Sequence, residues 1–156
     1  MRLSTKGRYA VMAMVDLAKS SKGHPVALAE IADRQEISLS YLEQLFAKLR
    51  KGGLVKSVRG PGGGYLLASP AEAMRISDII LAVDEPIRAT RCAAHSPAGC
   101  RANKTRCLTH DLWEELGNQI HLYLSSVSLA DVVERRILST GQMLIQDARP
   151  APVAAE

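Results

Sequence analysis

The chain is poor in aromatic residues, which make up 4% of its 156 positions and include a single Phe and a single Trp. Its core must therefore rest on Leu, Ile, Val, Ala and Met, a set that suits packed helices better than a β-sandwich. Long apolar runs are also lacking. None reaches the roughly 18 residues that a membrane span needs. The basic start, Met1-Arg2-Leu3-Ser4-Thr5-Lys6-Gly7-Arg8, is not followed by an apolar segment with a small-residue cleavage site, so no signal peptide is expected and the expected location is cytoplasmic. Cysteine is scarce and odd in number, at Cys92, Cys100 and Cys107. An odd count argues against a disulfide framework, as does a reducing cytosol.

What is present fits one small domain with an appendage. Apolar residues make up 47% of the chain, enough for a core. The net charge is +4, unevenly spread. Residues 1–68 carry 11 Lys/Arg against 5 Asp/Glu, giving +6, and residues 69–156 carry 9 against 11, giving −2. A solvated surface with chance asymmetry would read the same way, but a basic half beside a mildly acidic one also fits contact of one half with a polyanion.

Apolar spacing with Tyr9, Met12, Val15 and Leu17 predicts a helix over 5–19. A short helix over 28–34 and a longer one over 39–51, capped by Ser38 and ended by Gly52-Gly53, follow. Aligned as helix-turn-helix, this stretch places Ile31 and Ala32 inside the first helix, Ile37 in the turn, and Leu42 and Leu45 on the inner face of the second. The turn carries Glu36 where Gly is common, so a non-Gly residue is expected at positive φ. Leu54–Val58 and Tyr65–Ala68 flank Arg59-Gly60-Pro61-Gly62-Gly63-Gly64 and predict a hairpin. Ser77 is read as the cap of a helix over 78–84 that turns Ile79, Ile80 and Val83 inward. Leu112, Trp113, Leu116, Ile120, Tyr123 and Leu124 predict a helix over 110–125, and Ser128 with Asp131 a capped helix over 129–138. The Pro/Ala-rich end reads as a flexible tail over 139–156.

On the second helix of that motif, Ser38, Ser40, Tyr41, Glu43 and Gln44 can reach base edges in a major groove, and Lys48, Arg50 and Lys51 can reach phosphates. Glu43 is repelled by phosphate, so near DNA it requires a specific donor such as a cytosine amino group. A lone amphipathic helix of this kind is usually an ordinary solvated face. The hairpin directly after it reverses that reading: it is a wing, with Arg59 at its tip able to enter a narrow minor groove. The fold class expected is mainly α, a winged helix-turn-helix domain over 1–84.

The irregular segment over 85–109 holds the three cysteines. With His110 they read C-x7-C-x6-C-x2-H. Thiolates bind soft metals and imidazole is a good fourth ligand. Structural zinc sites usually bring a close Cys pair, which is missing here. Wide spacing suits an iron–sulfur cluster equally, and three unliganded thiols in a loop are a third reading. A Cys107–His110 nucleophilic dyad has no orienting acid or oxyanion site in the sequence, so no enzyme activity is expected.

The runs Ser38-Leu39-Ser40-Tyr41-Leu42-Glu43-Gln44-Leu45-Phe46, Leu49-Arg50-Lys51-Gly52-Gly53-Leu54-Val55 and Ser57-Val58-Arg59-Gly60-Pro61-Gly62-Gly63-Gly64-Tyr65-Leu66-Leu67, with the opening Met1–Ala10, resemble the IscR-like iron–sulfur cluster regulator family. The resemblance covers about residues 1–135. It implies a homodimeric repressor or activator that binds double-stranded DNA and controls cluster-assembly genes. Cys107-Leu108-Thr109-His110 resembles the family's cluster motif, which implies a [2Fe–2S] cluster on Cys92, Cys100, Cys107 and His110, supplied by the assembly machinery. His95 is an alternative ligand. The cysteine spacings are longer than the family's usual five intervening residues. Related nitric-oxide-sensing repressors vary here, and a winged-helix regulator with structural zinc is a further alternative. The resemblance also implies that the helices over 110–138 dimerise, with Trp113, Leu116, Ile120 and Tyr123 as contact candidates.

Overall fold

The computed structural model describes residues 4–89, 100–101 and 105–137. Helix α1, Thr5–Ser21, starts at Ser4, whose hydroxyl accepts from the Lys6 N–H at 3.2 Å. Ala10, Ala13, Met14 and Leu17 form its inner face, all without solvent exposure. Of the predicted stripe only Leu17 points to the centre; Tyr9 and Val15 are half-buried and Met12 is 37% exposed. The reason is steric. Small Ala10 and Ala13 let neighbouring helices approach closely, and a reading weighted toward large apolar residues passes over them.

Helix α2, Leu28–Gln35, and helix α3, Leu39–Lys51, form the helix-turn-helix. Ile31, Ala32, Ile37, Leu42 and Leu45 are all buried, as the alignment requires. Glu36 ends α2 in the left-handed region at φ 53, and its backbone N–H donates to the Ala32 carbonyl. The unit is tied to α1 by Asp16, a buried carboxylate. It accepts from Arg34 NH2 at 2.7 Å, from Arg34 Nε at 3.1 Å and from Gln35 Nε2 at 2.7 Å. Burial alone would raise the Asp16 pKa, but the Arg34 and Gln35 donors outweigh it and hold the carboxyl below its ordinary value.

Strands β1, Val55–Val58, and β2, Gly64–Leu67, pair antiparallel with Val55 opposite Leu67 and Val58 opposite Gly64. Val26 joins the edge of β2 through Tyr65, with backbone bonds of 3.0 and 2.8 Å. The Tyr65 ring meets Phe46 edge-on at 4.9 Å, which fixes the wing to α3. Gly60 and Gly62 take φ values of 106 and 72 in the connecting turn, a backbone path that side chains with a Cβ resist.

A short 3-10 turn over Ala71–Ala73 leads to helix α4, Ile76–Ala82. Ser77 does not cap this helix as expected. Arg75 occupies the N-cap position with no side-chain cap bond, and Ser77 is buried in the first turn. Ile79, Ile80 and Val83 face inward as expected. Helix α5 spans His110–Ser126. Helix α6, Leu129–Val133, begins with a complete capping box between Ser128 and Asp131. It is shorter than the predicted 129–138, because Arg135 turns into the left-handed region at φ 57 and breaks the repeat. Its start is stitched to the start of α4 and the residues before it by Ile76 N–H to Val127 O at 3.0 Å and Leu129 N–H to Met74 O at 2.8 Å. Leu129 is fully buried, so α6 closes on the winged domain. The predicted tail over 139–156 lies outside the described residues.

Candidate nucleic-acid interface and metal centre

Helix α3 keeps Leu42, Leu45, Phe46 and Leu49 inward. That leaves Ser38, Ser40, Glu43, Gln44, Arg50 and Lys51 exposed. Ser38 holds the N-cap position but its hydroxyl makes no cap bond, so it is not committed to the helix end. Tyr41 is half-buried, its ring edge-on to Tyr9 at 6.1 Å. Its role is therefore partly structural. Arg59 is exposed at the end of β1, where the hairpin turns. Lys48 is half-buried and engaged: its Nζ lies 2.7 Å from Asp84 Oδ2. The sequence reading assigned Lys48 to phosphate and missed this partner, since nothing in a linear pattern relates positions 36 residues apart.

Asp84 and Glu85 form the corner where α4 ends and the cysteine segment begins. Glu85 is buried and reaches across to the start of α1. It accepts from the Ser4 N–H and the Gly7 N–H, both at 2.6 Å, and from the Ser4 hydroxyl. Burial works to raise its pKa, but the Ser4 and Gly7 donors prevail and hold it below the ordinary glutamate value.

His110 opens α5 and is buried. Its Nδ1 lies 2.9 Å from Cys100 Sγ. On the other side of the ring, Nε2 lies 3.6 Å from Glu114 Oε2. Cys107 is half-buried, with its Sγ 3.8 Å from Thr109 Oγ1. Its carbonyl accepts the His110 N–H at 3.1 Å, so thiol and imidazole share one turn of chain. Arg106 stands at the rim, 3.4 Å from Asp111 and 3.9 Å from Glu114. Three of the four predicted ligands are thus described, and two have donor atoms in contact. Cys92 and His95 lie outside the described residues. A soft thiol beside an imidazole suits iron–sulfur or zinc ligation. His110, Asp111 and Glu114 also offer ligand atoms within 4.8 Å of one another. The two carboxylates escaped the sequence reading; for Glu114 the available signal was its place four residues after His110 on α5, one turn along the same face.

Gly117 positions the entering segment against α5. A Cβ there would fall 3.2 Å from the Ala89 nitrogen, so a larger residue would push residues 88–89 away by a few tenths of an ångström. Among the described residues no helix is long and apolar enough to cross a membrane.

Comparison with known proteins bears on the fold and the family. The Rrf2 family model, described as an iron-dependent transcriptional regulator, matches residues 3–135. A putative HTH-type transcriptional regulator of Haemophilus influenzae is 54% identical over 136 residues, covering 87% of this chain and 89% of that protein. The HTH-type transcriptional regulator IscR of Photorhabdus laumondii is 52% identical over 153 residues, covering 97% and 92%. Among solved structures, IscR of T. potens is 37% identical with a TM-score of 0.69, covering 92% of this chain and 96% of that one. CymR of B. subtilis, titled the global cysteine regulator, is 35% identical with a TM-score of 0.70, covering 86% and 98%. These relatives are regulators that bind DNA, not enzymes. The chain, with its winged helix-turn-helix, belongs to the Rrf2 family and is an IscR-like transcriptional regulator.

Proposed function

We propose that this regulator is a homodimer that reports iron–sulfur cluster supply through a [2Fe–2S] cluster and controls cluster-assembly genes. The observation that carries the reading is the approach of Cys100 Sγ to His110 Nδ1, 2.9 Å, at the start of α5. Cys107 one turn away supplies a second thiol, and Cys92 is assigned as the fourth ligand on sequence alone. A bound cluster would supply a redox-active, loseable group. An imidazole in place of one thiolate removes a negative charge and raises the reduction potential. It also offers a ligand that a proton can compete for, which suits a site that must empty when supply fails.

DNA is read by α3 through Ser38, Ser40, Glu43 and Gln44, with Tyr41 at its edge, Lys48, Arg50 and Lys51 on phosphates and Arg59 in the minor groove. Dimerisation is assigned to α5. Leu112, Trp113 and Tyr123 are 62%, 45% and 42% exposed on it, and a helix this apolar on its outer face needs cover. Leu116 is also exposed, and Ile120 half-buried.

Structural zinc is the second reading, favoured by the nitrogen and oxygen donors of His110, Asp111 and Glu114. Visible absorption and metal analysis of anaerobically purified protein separate the two. The cluster reading expects a brown protein with iron and acid-labile sulfide in equal amounts, bleached in Cys100→Ala, Cys107→Ala and His110→Ala variants that remain folded. A colourless protein with stoichiometric zinc, unfolding on chelation, would replace it.

A further inference from the structure

We propose that Lys6, Lys48 and Asp84 together form a binding site for a DNA backbone phosphate, occupied in the free protein by the Asp84 carboxylate, which the phosphate displaces. Lys48 comes from α3 and Lys6 from the first turn of α1. Both converge on residue 84, Lys48 Nζ at 2.7 Å from Oδ2 and Lys6 Nζ at 3.5 Å from the backbone carbonyl. Burial, then the neighbouring Lys48 ammonium, holds Lys6 below the ordinary lysine value, whereas the Asp84 carboxylate raises Lys48. Two ammonium groups thus converge on one residue, Lys48 on its carboxylate and Lys6 on its backbone carbonyl.

Lys48 stands on the DNA-reading surface. Ser40, Gln44 and Lys48 follow each other at four-residue intervals and make one stripe along α3. A phosphodiester carries the same single charge as a carboxylate and presents oxygens to the same donors. The occupant is loosely held: Asp84 is 73% exposed at its side chain, where solvent screens the pair. Its position is nevertheless not accidental. Asp84 sits in the left-handed region at φ 56, and Glu85 next to it is fastened to Ser4 and Gly7. The corner therefore presents the carboxylate to the lysines wherever α1 and α3 keep their places.

The site rests on α3 lying against DNA, and the test separates the two claims. Full-length variants are titrated against a duplex that the wild-type chain selects from a random library, over a range of KCl. Asp84→Asn should bind roughly two- to fivefold tighter, the range an exposed pair allows. Its slope of log K against log salt should steepen by up to about 0.9, one phosphate's worth. Lys6→Gln should weaken binding. In a Lys48→Gln background the gain from Asp84→Asn should vanish, since the pair is the source of the effect. Glu72→Gln, an exposed carboxylate on the 3-10 turn, changes net charge equally and should leave affinity unchanged. No gain in Asp84→Asn, a gain that persists without Lys48, or an equal gain from Glu72→Gln each overturns the proposal. Gln44→Ala tells the failures apart. If it loses affinity while Asp84→Asn changes nothing, the phosphate site alone falls; if neither changes, the placement of α3 on DNA falls with it.

Discussion

Glu85 acts as a cap delivered from 78 residues away. The first N–H groups of α1 have no partner within the helix, and the buried carboxylate takes those of Ser4 and Gly7. Because its folded pKa lies below the ordinary value of 4.5, its contribution to stability is complete above that value and is lost as pH falls through the folded pKa. Glu85→Gln should cost about 1–3 kcal/mol near pH 7 by removing a charged acceptor. Thermal melts at pH 7 and at successively lower pH below 4.5 should show the gap to wild type closing; a gap constant across that range would mean the charge is not what matters. Arg59 is the other residue whose role is separable. Arg59→Ala should weaken DNA binding by roughly 1–3 kcal/mol. Comparing duplexes with A·T-rich and G·C-rich sequence under the wing decides how: a larger loss on A·T-rich sites indicates minor-groove reading, and equal losses reduce it to a phosphate contact.

The helix-turn-helix was legible in the sequence nearly residue by residue, down to the left-handed Glu36, because its apolar positions and its turn obey local spacing. The ends of α4 and α6 were less so. Ser77 is a good cap by type, yet the tertiary pairing of Ile76 with Val127 starts α4 earlier and buries it. On α3, Glu43 is exposed, and with α3 on DNA as proposed a carboxylate near phosphate is penalised unless it meets a donor. It should therefore discriminate most between base sequences. If the cysteine centre alters how the two reading helices are held, holo and apo protein will differ in the sites they accept, and Glu43→Ala will narrow that difference. Titrating one duplex set with both forms of both proteins checks this; identical holo and apo profiles for wild type would remove the switch, and an unchanged difference in the variant would remove Glu43 from it.

For the whole molecule, positive charge is concentrated in residues 1–68, which hold α1 to β2, at +6 against −2 over residues 69–156. DNA binding should be strongly salt-dependent, each phosphate contact adding about −0.9 to the slope of log K against log salt. The exposed apolar residues of α5 tie this to assembly. A Leu116→Glu substitution should yield monomers in sedimentation or light scattering and lose tight binding to a palindromic duplex. A dimer that survives this change, or a wild-type monomer bound one to one on such a site, would contradict the role given to α5.

The sequence by itself determined the helix-turn-helix and the wing, because each depends on residues near one another in the chain. Periodicity and turn chemistry are local properties, set by the residues of each segment alone. Only the tertiary structure decided which alanines make the inner face of α1 and that α6 closes on the winged domain. It also brought Cys100 to His110, flanked the ring with Glu114, and set Asp84 and Glu85 against Lys48 and α1. Those outcomes depend on packing between distant segments, where close approach and desolvation choose partners that no spacing rule encodes.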